Sequence, residues 1–275
     1  MVLGQNSPIL IGDIMDSKLT GVKAVFLDLD GTIYLGGNLI HGALEFLQRC
    51  EEQGVQRYFL SNNSSKSVNQ YVAKLENMGI PCSPKDVLLS THDLLSWLEK
   101  EGVTRTWTIG TEGMCEMMQS VGISTRDDDP QYVVLGYDTE ISYHKISTAS
   151  IHMHKGVPLV ASHPDMVCPS PDGGLPDVGA YLAMLKVTTG HDPVHITGKP
   201  NPGMIMHKIE ELGLSPSECA MVGDRLYTDM EMAKASGVLS VLVLSGEATQ
   251  EDVDSYSWTP DFVVNSVKDI VFDSA

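Results

Sequence analysis

Short apolar runs rich in β-branched and aromatic residues recur along this chain, each followed by a turn and then a stretch of helical period. "AVFLDLD" (24–30) runs into "GALEFLQRCEEQG", where Leu44, Leu47 and Cys50 share a predicted helical face and Gly54 is a stop. "RYFLS" (57–61) leads into "SVNQYVAKLENMG", whose apolar stripe is Val68, Val72, Leu75 and Met78. "CAMVGD" precedes "TDMEMAKASG", and "SVLVLSG" and "DFVVNS" complete the set. Strands this short, alternating with helices, pair in parallel through crossover helices. The predicted class is α/β, built on a doubly wound parallel sheet.

The middle of the chain carries its own alternation: "DLLSWLEKEG", "TWTIG", "MCEMMQSVG", "YVVLGYD", "ISTASIHMHKG", "PLVASHPD" and "AYLAMLKVTTG". Before the last of these lies "HPDMVCPSPDGGLPDVG", rich in Pro, Gly and Asp and without a period, and a loop that long is usually functional. The expected architecture is a core made of residues 1–80 and 194–275, with an α/β cap, 81–193, inserted at an exposed loop.

Open parallel sheets bind ligands at the carboxyl ends of their strands, and polar stretches fall there in this sequence. Asp28 and Asp30 are spaced i and i+2, so an extended backbone turns both carboxylates to one side, and Gly31 permits a sharp exit. Ser61, Asn62 and Asn63 bring a hydroxyl and amides. Lys199 stands among Gly198, Pro200 and Pro202, and Gly223-Asp224 is followed by Asp229. Together they describe a phosphoryl-transfer site. Asp28 and Asp224 supply the hard oxygen ligands that Mg²⁺ takes, and a carboxylate such as Asp28 is also a nucleophile toward phosphorus. Lys199, Ser61 and Asn62 would neutralise and bind the phosphate, while Asp30 serves as acid and then base.

Composition narrows the partners. The net charge of −18 argues against a broad nucleic-acid surface, although a bound divalent cation can reverse the sign locally at a phosphate site. The five cysteines are dispersed without a C-x-x-C pair, which reads as reduced thiols in a cytoplasmic protein. The first 20 residues hold only the short apolar runs Val2-Leu3 and "PILIG", followed by Asp13 and Asp16, which is neither a signal peptide nor a membrane span.

These motifs resemble the haloacid dehalogenase-like (HAD) superfamily of phosphohydrolases: "DLDGT" its first motif, Ser61 its second, Lys199 its third and "GDRLYTD" its fourth. "SNNSS", "GKPNPGM" and "GDRLYTD" are similar to the NagD / 4-nitrophenylphosphatase branch, related to pyridoxal phosphatase. The resemblance implies Asp28 as nucleophile, Asp30 as acid/base, and Mg²⁺ held by Asp28, the Asp30 carbonyl and Asp224. Asp229 would orient a metal-bound water or the lysine. It further implies a phosphatase of small phosphorylated metabolites and a homodimer formed through the cap. The branch's "NPD"-like turn is His163-Pro164-Asp165 here, a departure that bears on substrate preference.

His163 reads either as a contact to the leaving group or as a turn histidine, with Asp165 bracing the turn and Arg225 as a phosphate contact or an ion-pair partner. His152 and His154 fall on different helical faces, and Met114, Met117 and Met118 read as helix packing. Two other readings stand beside the phosphatase: a phosphotransferase or mutase acting on sugar phosphates, and a binding module without catalysis. The second would be marked by loss of Asp28 or Lys199, and both are present.

Overall fold

The computed structural model describes residues 17–168 and 172–273. The apolar runs Val2-Leu3 and "PILIG" lie outside the described residues, as do positions 169–171 of the Pro/Gly/Asp-rich loop. Strands β1 (Ala24–Asp28), β2 (Gln56–Ser61), β3 (Val87–Leu89), β8 (Cys219–Gly223), β9 (Leu239–Val243) and β10 (Phe262–Val264) form one sheet in the order β10-β9-β8-β1-β2-β3. Every pairing in it is parallel. Alternate residues face opposite ways and both faces are apolar. Val25, Leu27, Ala220 and Val222 pack with Phe46, Leu47, Tyr71 and Leu75. Ala24, Phe26, Cys219 and Met221 pack against Met204, Ile205, Ile209 and Met232.

A second, four-stranded parallel sheet is made by β4 (Thr106–Ile109), β5 (Tyr132–Leu135), β6 (Leu159–Ala161) and β7 (His195–Ile196), in the order β7-β6-β5-β4. Helices Tyr143–His154 and Val178–Thr189 cover one side through Ala149, Met153 and Leu185. Helices Ser90–Lys100 and Glu112–Ser120 cover the other through Leu94, Leu98, Met114 and Met118. Strand pairing crosses both expected domain boundaries, since β3 belongs to the larger sheet and β7 to the smaller.

The structure corrects the sequence reading in places. In helix Ala43–Glu52 the buried face is Ala43, Phe46, Leu47 and Cys50, while Leu44 is 42% exposed. The aromatic ring of Phe46 sets the inward face, one residue away from the stripe drawn through Leu44. The loop after β6 is not wholly irregular, because Val167–Cys168 and Leu175–Pro176 pair antiparallel. Ser17–Leu19 pairs in parallel with Ile270–Phe272. Among the described residues no helix is long and apolar enough to cross a membrane.

Candidate active site

The sheet order places β1 between β8 and β2, so the carboxyl ends of these strands lie side by side. Asp28 ends β1, Ser61 ends β2, and Asp224 directly follows β8. Lys199 arrives from the other sheet, on the loop after β7, and is buried. Its Nζ pairs with the Asp28 carboxylate and lies 2.8 Å from Asp229 Oδ1. Asp229 sits in a π-helical turn, Leu226–Met230, with Oδ2 accepting from the Arg225 N–H at 3.1 Å. Oxygens of Asp28, Asp224 and Asp229 lie within 4.8 Å of one another. All three are buried.

Asn62 grips the backbone of Lys199. Its Oδ1 accepts from the Lys199 N–H at 2.8 Å, and its Nδ2 donates to the Lys199 carbonyl at 3.0 Å and to both Asp165 oxygens at 3.1 Å. The amide expected to face a phosphate is thus engaged by the protein at both ends. Ser61 Oγ lies 2.9 Å from Tyr71 Oη and accepts from the Asn63 N–H at 3.2 Å. Asn63 Oδ1 accepts from the Ser65 N–H at 2.9 Å.

Asp30 takes a different place from Asp28. The strand ends at Asp28, and Asp30 is exposed in the turn that follows, where Tyr34 Oη donates to its Oδ2 at 3.4 Å. Lys74 Nζ in turn donates to Tyr34 Oη at 2.8 Å. The structure therefore gathers Asp28, Lys199, Asp224 and Asp229 in a buried cluster and holds Asp30 at its solvent side.

The chain has the sequence profile of the haloacid dehalogenase-like hydrolases over residues 25–124, and a HAD-hydrolase-like profile over residues 196–270. It is 33% identical to the acid sugar phosphatase of Staphylococcus aureus over 252 residues, covering 90% of this chain and 95% of that one. The chain belongs to the haloacid dehalogenase-like hydrolases. Within them it lies on the NagD / 4-nitrophenylphosphatase branch, a branch of phosphatases. The 4-nitrophenylphosphatase of Thermotoga maritima superposes with a TM-score of 0.87 at 36% identity, covering 94% of this chain and 98% of that one. A glycerol phosphate phosphatase of Mycobacterium tuberculosis, solved in complex with magnesium, superposes with a TM-score of 0.85 at 27% identity, covering 92% and 78%.

In this hydrolase the buried carboxylates repel one another. Burial pushes Asp28 well above the ordinary carboxylate range, Lys199 pulls it back, and Asp229 and Asp224 add to the rise. Asp224 is pushed up to about 6, by burial first and then by Asp229. Burial alone would lower Lys199, but Asp229 and Asp28 outweigh it and hold the ammonium charged. Asp224 Oδ2 accepts from the Glu247 N–H at 2.7 Å, while Oδ1 is buried without a hydrogen-bond partner among the described residues.

Gly31 is required where it stands. Its φ is 89°, and a Cβ there would overlap the Asp224 carboxylate. Gly31→Ala is expected to cost about 1–3 kcal/mol of stability and to weaken divalent-ion affinity. Thermal unfolding, with and without Mg²⁺, checks both.

Of the two readings open for Arg225, the structure takes the ion pair. Arg225 Nε pairs with Glu247 at 2.9 Å. His163 is fully buried, with Nδ1 3.7 Å from Asp165 and Nε2 3.6 Å from Asp177, and burial pushes it down to about 4. Asp177 caps helix Val178–Thr189 by accepting from the Val178 N–H at 2.7 Å, and burial pushes it up to about 7. Sequence reasoning passed over Asp177, Tyr34, Tyr71, Lys74 and Asp93. Only Asp177 carried a local signal, as an acidic residue just before a helix. Asp93 Oδ2 accepts from the Gly198 N–H at 2.9 Å, a contact across 105 positions that no local pattern announces.

Proposed function

We propose that this hydrolase releases phosphate from small phosphorylated metabolites with Asp28 as nucleophile and Mg²⁺ as cofactor. The observation that carries the reading is the buried Asp28–Lys199–Asp229 cluster beside Asp224, at the ends of adjacent strands. A divalent ion fits these residues, because the carboxylates lie within 4.8 Å of one another and Asp224 Oδ1 has no other partner among the described residues. Asp28, Asp224 and the Asp30 carbonyl would hold Mg²⁺, which when bound offsets the negative charge of carboxylate and phosphate.

The chain's own residues account for the rest. An Asp28 oxygen attacks phosphorus as the bond to the leaving alkoxide breaks, and Asp30 gives that alkoxide its proton. Asp30 then takes a proton from water, whose oxygen attacks the phosphoaspartate and regenerates Asp28. Lys199 neutralises charge throughout, and Asp229 and Asn62 hold it in place. Ser61 and Asn63 lie at the neighbouring strand end as phosphate contacts, and Gly31 lets the chain pass Asp224. The insertion, read as 81–193, serves as the cap that excludes water. Tyr143, Ile151 and Val187, exposed on its helices, support self-association through the same unit.

The test is phosphate release from a panel of phosphomonoesters. EDTA is expected to reduce turnover at least about 10²-fold, with Mg²⁺ restoring it. Folded protein that releases nothing from any ester in Mg²⁺ would overturn the reading. Transfer to added sugars in excess of release would favour a phosphotransferase.

A further inference from the structure

We propose that His163, Asp165 and Asp177 form a second cation site, separate from the one at Asp28, for a divalent transition ion such as Mn²⁺. One ring nitrogen and one oxygen from each carboxylate lie within 4.8 Å of one another. The imidazole is fully buried, and neither nitrogen has a hydrogen-bond partner among the described residues. Buried polar atoms are nearly always satisfied, so an imidazole orphaned at both nitrogens points to a ligand.

The spacing favours an ion over direct pairing. Separations of 3.7 Å to Asp165 and 3.6 Å to Asp177 exceed hydrogen-bond length. An ion bound through one ring nitrogen would take one oxygen from each carboxylate, and such a set lies within 4.8 Å. Among the described residues no lysine or arginine forms a salt bridge with either carboxylate, and the nearest cationic influence on Asp177 comes from Arg225.

The donor set selects the ion. Magnesium and calcium take oxygen alone, whereas an imidazole with two carboxylates suits Mn²⁺ or Zn²⁺. Each carboxylate keeps capacity to coordinate: Asp177 Oδ1 accepts from the Val178 N–H, and among the described residues the Asp165 oxygens accept from Asn62. The Asp165 side chain is 15% exposed and gives an entry path. Because Asn62 also holds the Lys199 backbone, an ion here braces the turn that contacts the catalytic lysine.

The test uses the full chain carrying Asp28→Asn and Asp224→Asn, which removes the carboxylates of the first site. Mn²⁺ binding is followed by electron paramagnetic resonance, with spin-echo modulation reporting nitrogen ligation. One retained equivalent with nitrogen coupling is expected. Adding His163→Ala should abolish the coupling, and adding Asp177→Asn should weaken binding at least about ten-fold. Asparagine caps a helix as well as aspartate does, so the Asp177 variant keeps its fold. No retained Mn²⁺, Mn²⁺ without nitrogen coupling, or unchanged affinity in Asp177→Asn overturns the proposal.

Discussion

Asp28→Asn is expected to abolish phosphate release, by about 10⁴-fold or more, because an amide is no nucleophile toward phosphorus. The same change should raise the melting temperature of the metal-free protein at neutral pH. Asp28 is buried beside Asp229 and Asp224, and its folded-state pKa lies above the ordinary value. A carboxyl shifted that way stabilises the fold at acid pH and loses that contribution as pH rises through the folded value. Asparagine carries no such penalty. The gain should therefore be largest near pH 8 and shrink toward pH 4, as differential scanning calorimetry across that range will show. A variant that melts below wild type at neutral pH would contradict the electrostatics described for the cluster. Loss of turnover with a raised melting point would separate a chemical role for Asp28 from a structural one.

Lys199→Met is expected to act in the opposite direction on stability. It keeps the length of the side chain and removes the cation that pairs with Asp28 and Asp229. Breaking a buried pair leaves uncompensated charge, with a cost of about 3–5 kcal/mol. Turnover should fall by about 10²–10³ as the charge facing the phosphate is lost. The stability loss should be greatest at pH 7–8 and ease as the freed carboxylates protonate toward acid pH. Chemical denaturation at pH 5 and pH 8 measures this, and equal losses at both would mean the lysine acts through packing. The two variants together form a charge-balance experiment, since removing a carboxylate and removing the ammonium should shift stability in opposite senses.

The carboxyl-end clustering of chemistry is legible in the sequence. A parallel sheet places its loops at one edge, and each motif followed an apolar run. Asp28 and Asp224 come together because β1 and β8 are paired neighbours. Other details were not readable. Asp30 was expected beside Asp28, but the strand stops at Asp28 and the turn carries Asp30 outward to Tyr34. Asn62 looked like a phosphate donor and is occupied by Lys199 and Asp165.

By itself the sequence determined the α/β class, the alternating apolar faces and the residues available for phosphoryl chemistry. All of these follow from local periodicity and side-chain type. Only the tertiary structure decided which strands border β1, which carboxylate holds Lys199, and that His163 faces Asp165 and Asp177. Those outcomes depend on contacts across long stretches of chain, where burial and packing set the partners and no local pattern records them.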